Sequence, residues 1–88
     1  MHIGFDNHVP WWRVAAILAA KGAAAKRLRE DAYRAGRLLD ATQGRRTRSL
    51  VITDTGQVVL SIVVPETLLP RLQAARDRER QNEERGYV

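Results

Sequence analysis

Leu50-Val51-Ile52-Thr53-Asp54-Thr55-Gly56-Gln57-Val58-Val59-Leu60-Ser61-Ile62-Val63-Val64 reads as a β-hairpin. The runs Leu50 to Asp54 and Gln57 to Val64 are rich in β-branched residues, and Thr55-Gly56 supplies the two-residue connection that such hairpins favour. On the second run Val58, Leu60, Ile62 and Val64 face one way while Val59, Ser61 and Val63 face the other, so apolar groups stand on both sides and both sides need cover. One short helix and a thin C-terminal segment can shield a single face. The other, with Val59 and Val63, is expected to meet a second copy of the chain.

Upstream of the hairpin, Leu38 to Ala41 is a short strand, followed by a loop over Gln43 to Thr47. Residues 23–35 form a helix, because Ala25, Leu28, Ala32 and Ala35 make a narrow apolar stripe and Gly36 stands where a left-handed cap belongs. Its other face pairs Lys26 with Glu30, Arg27 with Asp31 and Glu30 with Arg34, each four apart. Residues 13–19 are Ala-rich, which favours helix by propensity, but Val14, Ile17 and Leu18 and the interruption at Gly22 argue for a strand. Residues 2–9 alternate well enough for an opening strand that Pro10 ends. After the hairpin, Thr67 can cap a last helix from Leu68, with Pro70 in its first turn. The reading is an α+β fold: a small, mostly antiparallel sheet with one central helix and a C-terminal helix. Residues 1–72 make the domain, and 73–88 a charged helical extension or flexible tail, with four Arg against four acids over 76–86.

Eighty-eight residues bury only about 60–65% of the unfolded surface, so the core is thin and a partner subunit would help it. The net charge of +5 and a pI near 10.7 suit an acidic partner. Without cysteine there is no disulfide frame and no thiolate zinc site. No apolar run approaches the roughly 18 residues a membrane span needs, and the first residues lack a signal-peptide pattern. The expectation is a cytoplasmic, nucleoid-associated protein with no membrane partner.

The positive charge is local. Residues 21–48 carry nine Lys or Arg against three acids, whereas 49–70 carry none against two. Its densest part is Gly44-Arg45-Arg46-Thr47-Arg48, which sets three guanidinium groups on a turn between β-prone stretches. Fork-shaped donors match phosphate oxygens, so Arg45, Arg46 and Arg48 are candidates for double-stranded DNA. The alternative is a solvated charged turn. No acid stands between Thr42 and Thr53 to neutralise the arginines, which favours binding. Thr42 and Thr47 bracket the run and can bond the loop backbone. Helix-turn-helix spacing and stacking motifs of the RNA-recognition type are absent, so backbone and shape recognition are expected rather than base readout.

Arg13 is the lone positive side chain among the first twenty residues, beside Trp11 and Trp12. These tryptophans could stack on bases or hold the guanidinium by a cation–π contact, but an oligomer interface is the preferred role. His2 and His8, read on one strand, fall roughly 20 Å apart and so share no metal ion. Asp40, Asp54 and Glu66 have no nucleophile or base arranged near them. The reading is no enzyme, no cofactor, no metal and no small-molecule substrate.

Ile3-Gly4-Phe5, Arg13, Leu39-Asp40-Ala41-Thr42, the arginine run, Val51-Ile52-Thr53-Asp54 and Pro65-Glu66-Thr67 follow one another in an order that resembles the RemA-type extracellular-matrix regulators of bacteria. The resemblance covers residues 2–72. It implies a DNA-binding transcription regulator of biofilm-matrix and osmoprotection genes, assembled as a homo-oligomeric ring of about seven or eight copies that presents arginines to DNA wrapped around it. Carried onto this chain, the matching positions are Arg13, Arg45 and Arg46. The chain departs from the family at Trp12, where Asn is usual, at Ala19-Ala20-Lys21-Gly22, where a Ser-Pro turn is usual, and at Gln43, where Tyr is usual. The alternative reading is a structural or adaptor protein that binds a protein partner or RNA through its charged tail and tryptophans.

Overall fold

In the computed structural model, which describes residues 1–86 and side-chain surroundings up to residue 81, the chain runs β1 (His2–Gly4), β2 (Asn7–His8), a 3-10 turn (Trp11–Arg13), β3 (Val14–Ala19), α1 (Ala23–Arg34), β4 (Leu38–Asp40), β5 (Ser49–Thr53), β6 (Val58–Ser61) and α2 (Pro65–Gly86). The last two residues of the expected tail, 87–88, lie outside the described residues. Strands β3, β5, β6 and β4 lie side by side in that order. The β3–β5 and β5–β6 pairs are antiparallel, while β4 runs parallel to β6. The sheet is therefore mixed, because α1 serves as part of a crossover that returns the chain to the far edge.

Tertiary pairing overrides alanine's helix propensity at β3, where Ile17 and Leu18 lie opposite Val51 and Leu50. Helix α1 ends at a left-handed Gly36 (φ 69°), and the Arg37 amide donates back to the Ala32 carbonyl at 2.8 Å. Of the expected four-apart pairs on its charged face, none closes; Arg34 instead meets Asp31, three residues away, at 3.8 Å.

Both faces of the sheet are covered within the chain. On one face Leu50, Val58 and Leu60 pack with Ala25 and Ala32 of α1. On the other, Val51 and Val59 pack with Ile3, Val9 and Leu68. The face with Val59 and Val63, expected to meet a second copy, packs against residues of the same chain. Val59 is only 5% exposed, and Val63 is partly buried against the same cluster. The cover comes from the N-terminal ribbon and the first turn of α2.

That ribbon also replaces the single strand expected over residues 2–9. Phe5 and Asp6 both adopt left-handed backbone (φ 49° and 61°), folding β1 onto β2 with His2 opposite His8. The Asn7 side-chain amide holds the turn by donating to the carbonyls of Gly4 and Phe5. Gly4 permits the ribbon's close approach to the sheet, since a Cβ there would lie 2.9 Å from Ile62 Cγ1.

Strand β6 stops at Ser61, earlier than expected. The buried Ser61 hydroxyl donates to the Ile3 carbonyl at 2.8 Å and accepts from the Val63 amide, bending the chain out of the strand. Helix α2 then begins at Pro65 rather than Leu68, with proline at the first helical position and the Thr67 and Leu68 amides donating to the Val64 carbonyl. Pro70 consequently falls inside the helix. Among the described residues no helix is long and apolar enough to cross a membrane.

Candidate nucleic-acid interface

The loop from Ala41 to Arg48 is held by its own short-range chemistry and by the sheet. Asp40, the last residue of β4, accepts hydrogen bonds from the Thr42 amide (2.8 Å) and the Thr42 hydroxyl. The Thr42 carbonyl in turn accepts from the Arg45 amide at 3.0 Å. Gln43 and Gly44 between them take left-handed backbone (φ 51° and 79°), which glycine tolerates and glutamine adopts only because both ends are tied. The Thr42 hydrogen bonds lower the Asp40 pKa below its ordinary value, with a smaller contribution from Arg29. At the other end, the Arg48 amide donates to the Ser61 carbonyl (2.8 Å) and the Arg48 carbonyl accepts from the Ala20 amide (3.0 Å). The Ser49 hydroxyl, on a residue with no exposure, donates to the Val63 carbonyl at 2.5 Å.

On this frame Arg45, Arg46 and Arg48 are all exposed and, with Ile62, line one shallow concavity of about 430 Å³. None of them has an acidic partner among the described residues. The Arg45 guanidinium lies 5.7 Å from the centre of the Phe5 ring, a cation–π contact from the tip of the β1–β2 ribbon. A guanidinium steadied by a ring keeps all its donors for an anion, whereas one paired to a carboxylate does not.

Arg13 is placed differently. It precedes β3, and its carbonyl accepts from the Asp54 amide, whereas Ala19 and Ala20 at the far end of the strand meet Ser49 and Arg48. At about 3.4 Å per residue, Arg13 and the arginine turn stand roughly 20 Å apart along the sheet. The Arg13 side chain also forms an ion pair with Asp54 at 3.5 Å. The structure thus brings together Arg45, Arg46 and Arg48 and leaves Arg13 outside the cluster.

The tryptophans split. Trp12 is 58% exposed, whereas the Trp11 indole N–H is buried without a hydrogen-bond partner, and the two rings meet edge to face at 6.1 Å. Among the described residues the cation–π partner of an arginine is Phe5, not a tryptophan. The histidines, expected far apart, are cross-strand neighbours with ring centres 4.8 Å apart, because the residues between them form a turn rather than extended strand. Among the described residues no three His, Cys, Asp or Glu side chains gather into a metal site.

Sequence reasoning missed the parts that hold the turn: Phe5, Asp40 as a clamp, and the buried Ser49 and Ser61. Asp40 two residues before Thr42 is a recognisable Asx-type signal. Nothing local marks Phe5, whose role depends on the ribbon folding back.

A chain in which a clamped, three-arginine turn follows β4 and precedes a hairpin can be compared with known proteins as a whole. A family model, "Extracellular matrix regulatory protein A-like", matches residues 1–72. The chain belongs to this RemA-like family. It is 47% identical over 76 residues to a protein of Synechococcus sp. (strain JA-2-3B'a(2-13)), covering 86% of this chain and 85% of the relative. With a protein of Fervidobacterium nodosum it shares 48% identity over 71 residues, 81% of this chain and 76% of the relative. With one of Nostoc punctiforme it shares 46% over 79 residues, 90% of each. Each of these relatives bears the name "Putative regulatory protein". The RemA-like match ends at Leu72, within α2, so the arginine turn and everything that clamps it lie inside the matched span.

Proposed function

We propose that this RemA-like protein is an oligomeric DNA-binding transcription regulator, and that Arg45, Arg46 and Arg48 grip the phosphates of double-stranded DNA. The observation that carries this reading is a trio of exposed guanidinium groups, free of acidic partners among the described residues, on a turn tied at both ends. Such a turn meets phosphates without first being ordered, and each contact releases condensed counterions. Arg13 is a secondary contact that must first leave Asp54.

One copy offers few contacts, so the function requires several copies lined up, and a closed ring is the arrangement proposed. Two features support assembly. The sheet ends on β3 and β4, of which β3 has six residues and no charge, the kind of bare edge that natural proteins pair or cover. Exposed apolar side chains, Trp12, Leu18, Tyr33 and Leu39, are distributed over the surface rather than buried in the chain's own core.

The Arg45→Ala/Arg46→Ala double variant tests the reading. It is expected to keep the parent circular dichroism and oligomer size and to lose retention of a duplex in a mobility-shift assay. Unchanged retention would favour an adaptor role and contradict the proposal.

A further inference from the structure

We infer that Lys21 is a phosphate-contacting residue that carries the cationic surface from the arginine turn around the β3–α1 bend. This rests on the reading of the turn as a duplex-binding site and extends it to a segment distant in sequence. The Ala20 amide, donating to the Arg48 carbonyl at 3.0 Å, fixes the bend against the turn. Lys21, Arg46 and Arg48 then line one recess of about 140 Å³ with Thr47 at its side. That volume is well below the roughly 300 Å³ of a small-molecule pocket and suits a single phosphate group with three cationic donors around it.

Lys21 also borders a second concavity of about 300 Å³, shared with Lys26 and Arg29 of α1. It is the basic residue common to both, so positive charge continues from Arg45 through Lys21 toward Arg29. One acid, Glu66 at the start of α2, lines the smaller recess, and it forms no ion pair with any of the three cations. A lysine at this position is a mobile point charge without the fork geometry that reads guanine edges. It therefore adds affinity and salt dependence uniformly across sequences.

The test is fluorescence anisotropy of labelled duplexes of two unrelated sequences, titrated with the full chain over a range of salt. Lys21→Ala is expected to weaken both duplexes alike and to make the log Kd against log salt slope shallower by about 1 for each engaged copy. Lys21→Arg, which keeps the charge, is expected to hold the parent slope. If Lys21→Ala keeps the parent slope while Arg45→Ala/Arg46→Ala loses binding, the inference is overturned and the turn's role stands. A slope lost equally in Lys21→Arg also overturns it, since the bend and not the charge is then responsible. If the double arginine variant binds like the parent, the underlying reading itself fails.

Discussion

Asp40 decides how the arginines are presented. Its carboxylate bonds both the amide and the hydroxyl of Thr42, and Thr42 in turn accepts from Arg45, so one exposed acid starts the chain of contacts that shapes the turn. Asp40→Ala is expected to leave the fold intact, to speed hydrogen exchange at the Arg45 amide, and to weaken duplex binding by up to about tenfold, or 1.4 kcal/mol. Unchanged exchange would show that the turn is held from its Arg48 end alone. The pH dependence has a definite sign. The folded pKa lies below the ordinary 3.8, so the clamp stabilises the turn throughout the neutral and mildly acidic range and is lost only as pH falls through that lowered value. An Asp40 carboxyl titration followed by NMR should show a midpoint below 3.8, and one at or above it would contradict the clamp.

Among the elements, the first turn of α2 carries more weight than its polar remainder. Leu68 has no exposure and closes the core beneath Val59 and Val51. Leu68→Ala is expected to cost about 2–5 kcal/mol in denaturant unfolding. A loss below about 1 kcal/mol would mean that another copy, not α2, seals this face. This element also marks where the sequence was legible and where it was not. The β5–β6 hairpin, α1 and its glycine stop were readable because period and cap agree locally. The hairpin loop, however, is three residues, Asp54 to Gly56, rather than the expected two, since the Thr53 amide donates to the Gln57 carbonyl and Ile52 lies opposite Val58. Strand β3 was readable only by weighing β-branched residues against alanine's propensity. The N-terminal ribbon was not, because its turn places Phe5 and Asp6 in left-handed backbone that the usual Asn-Gly signal would have announced. That omission hid the cover of the second face, the closeness of His2 and His8, and the Phe5 contact with Arg45. In the site, the arginines were visible as composition, but the separation of Arg13 from them follows from strand register, which a linear reading does not supply.

For the whole molecule, duplex binding depends on repetition. Three arginines per copy on three or more engaged copies would give a log-affinity against log-salt slope of about −8 or steeper, whereas one copy alone gives about −3. The same arithmetic makes the assembly state the centre of the account. The most direct measurement is the mass in solution by light scattering, with and without a duplex of several helical turns, at about 0.1 M salt, where the Debye length is about 10 Å. The expected result is a protein several times the 9.9 kDa of one chain that co-elutes with the duplex, and an Arg45→Ala/Arg46→Ala variant of the same mass that does not. A 9.9 kDa species that stays monomeric and elutes apart from the duplex would contradict the account.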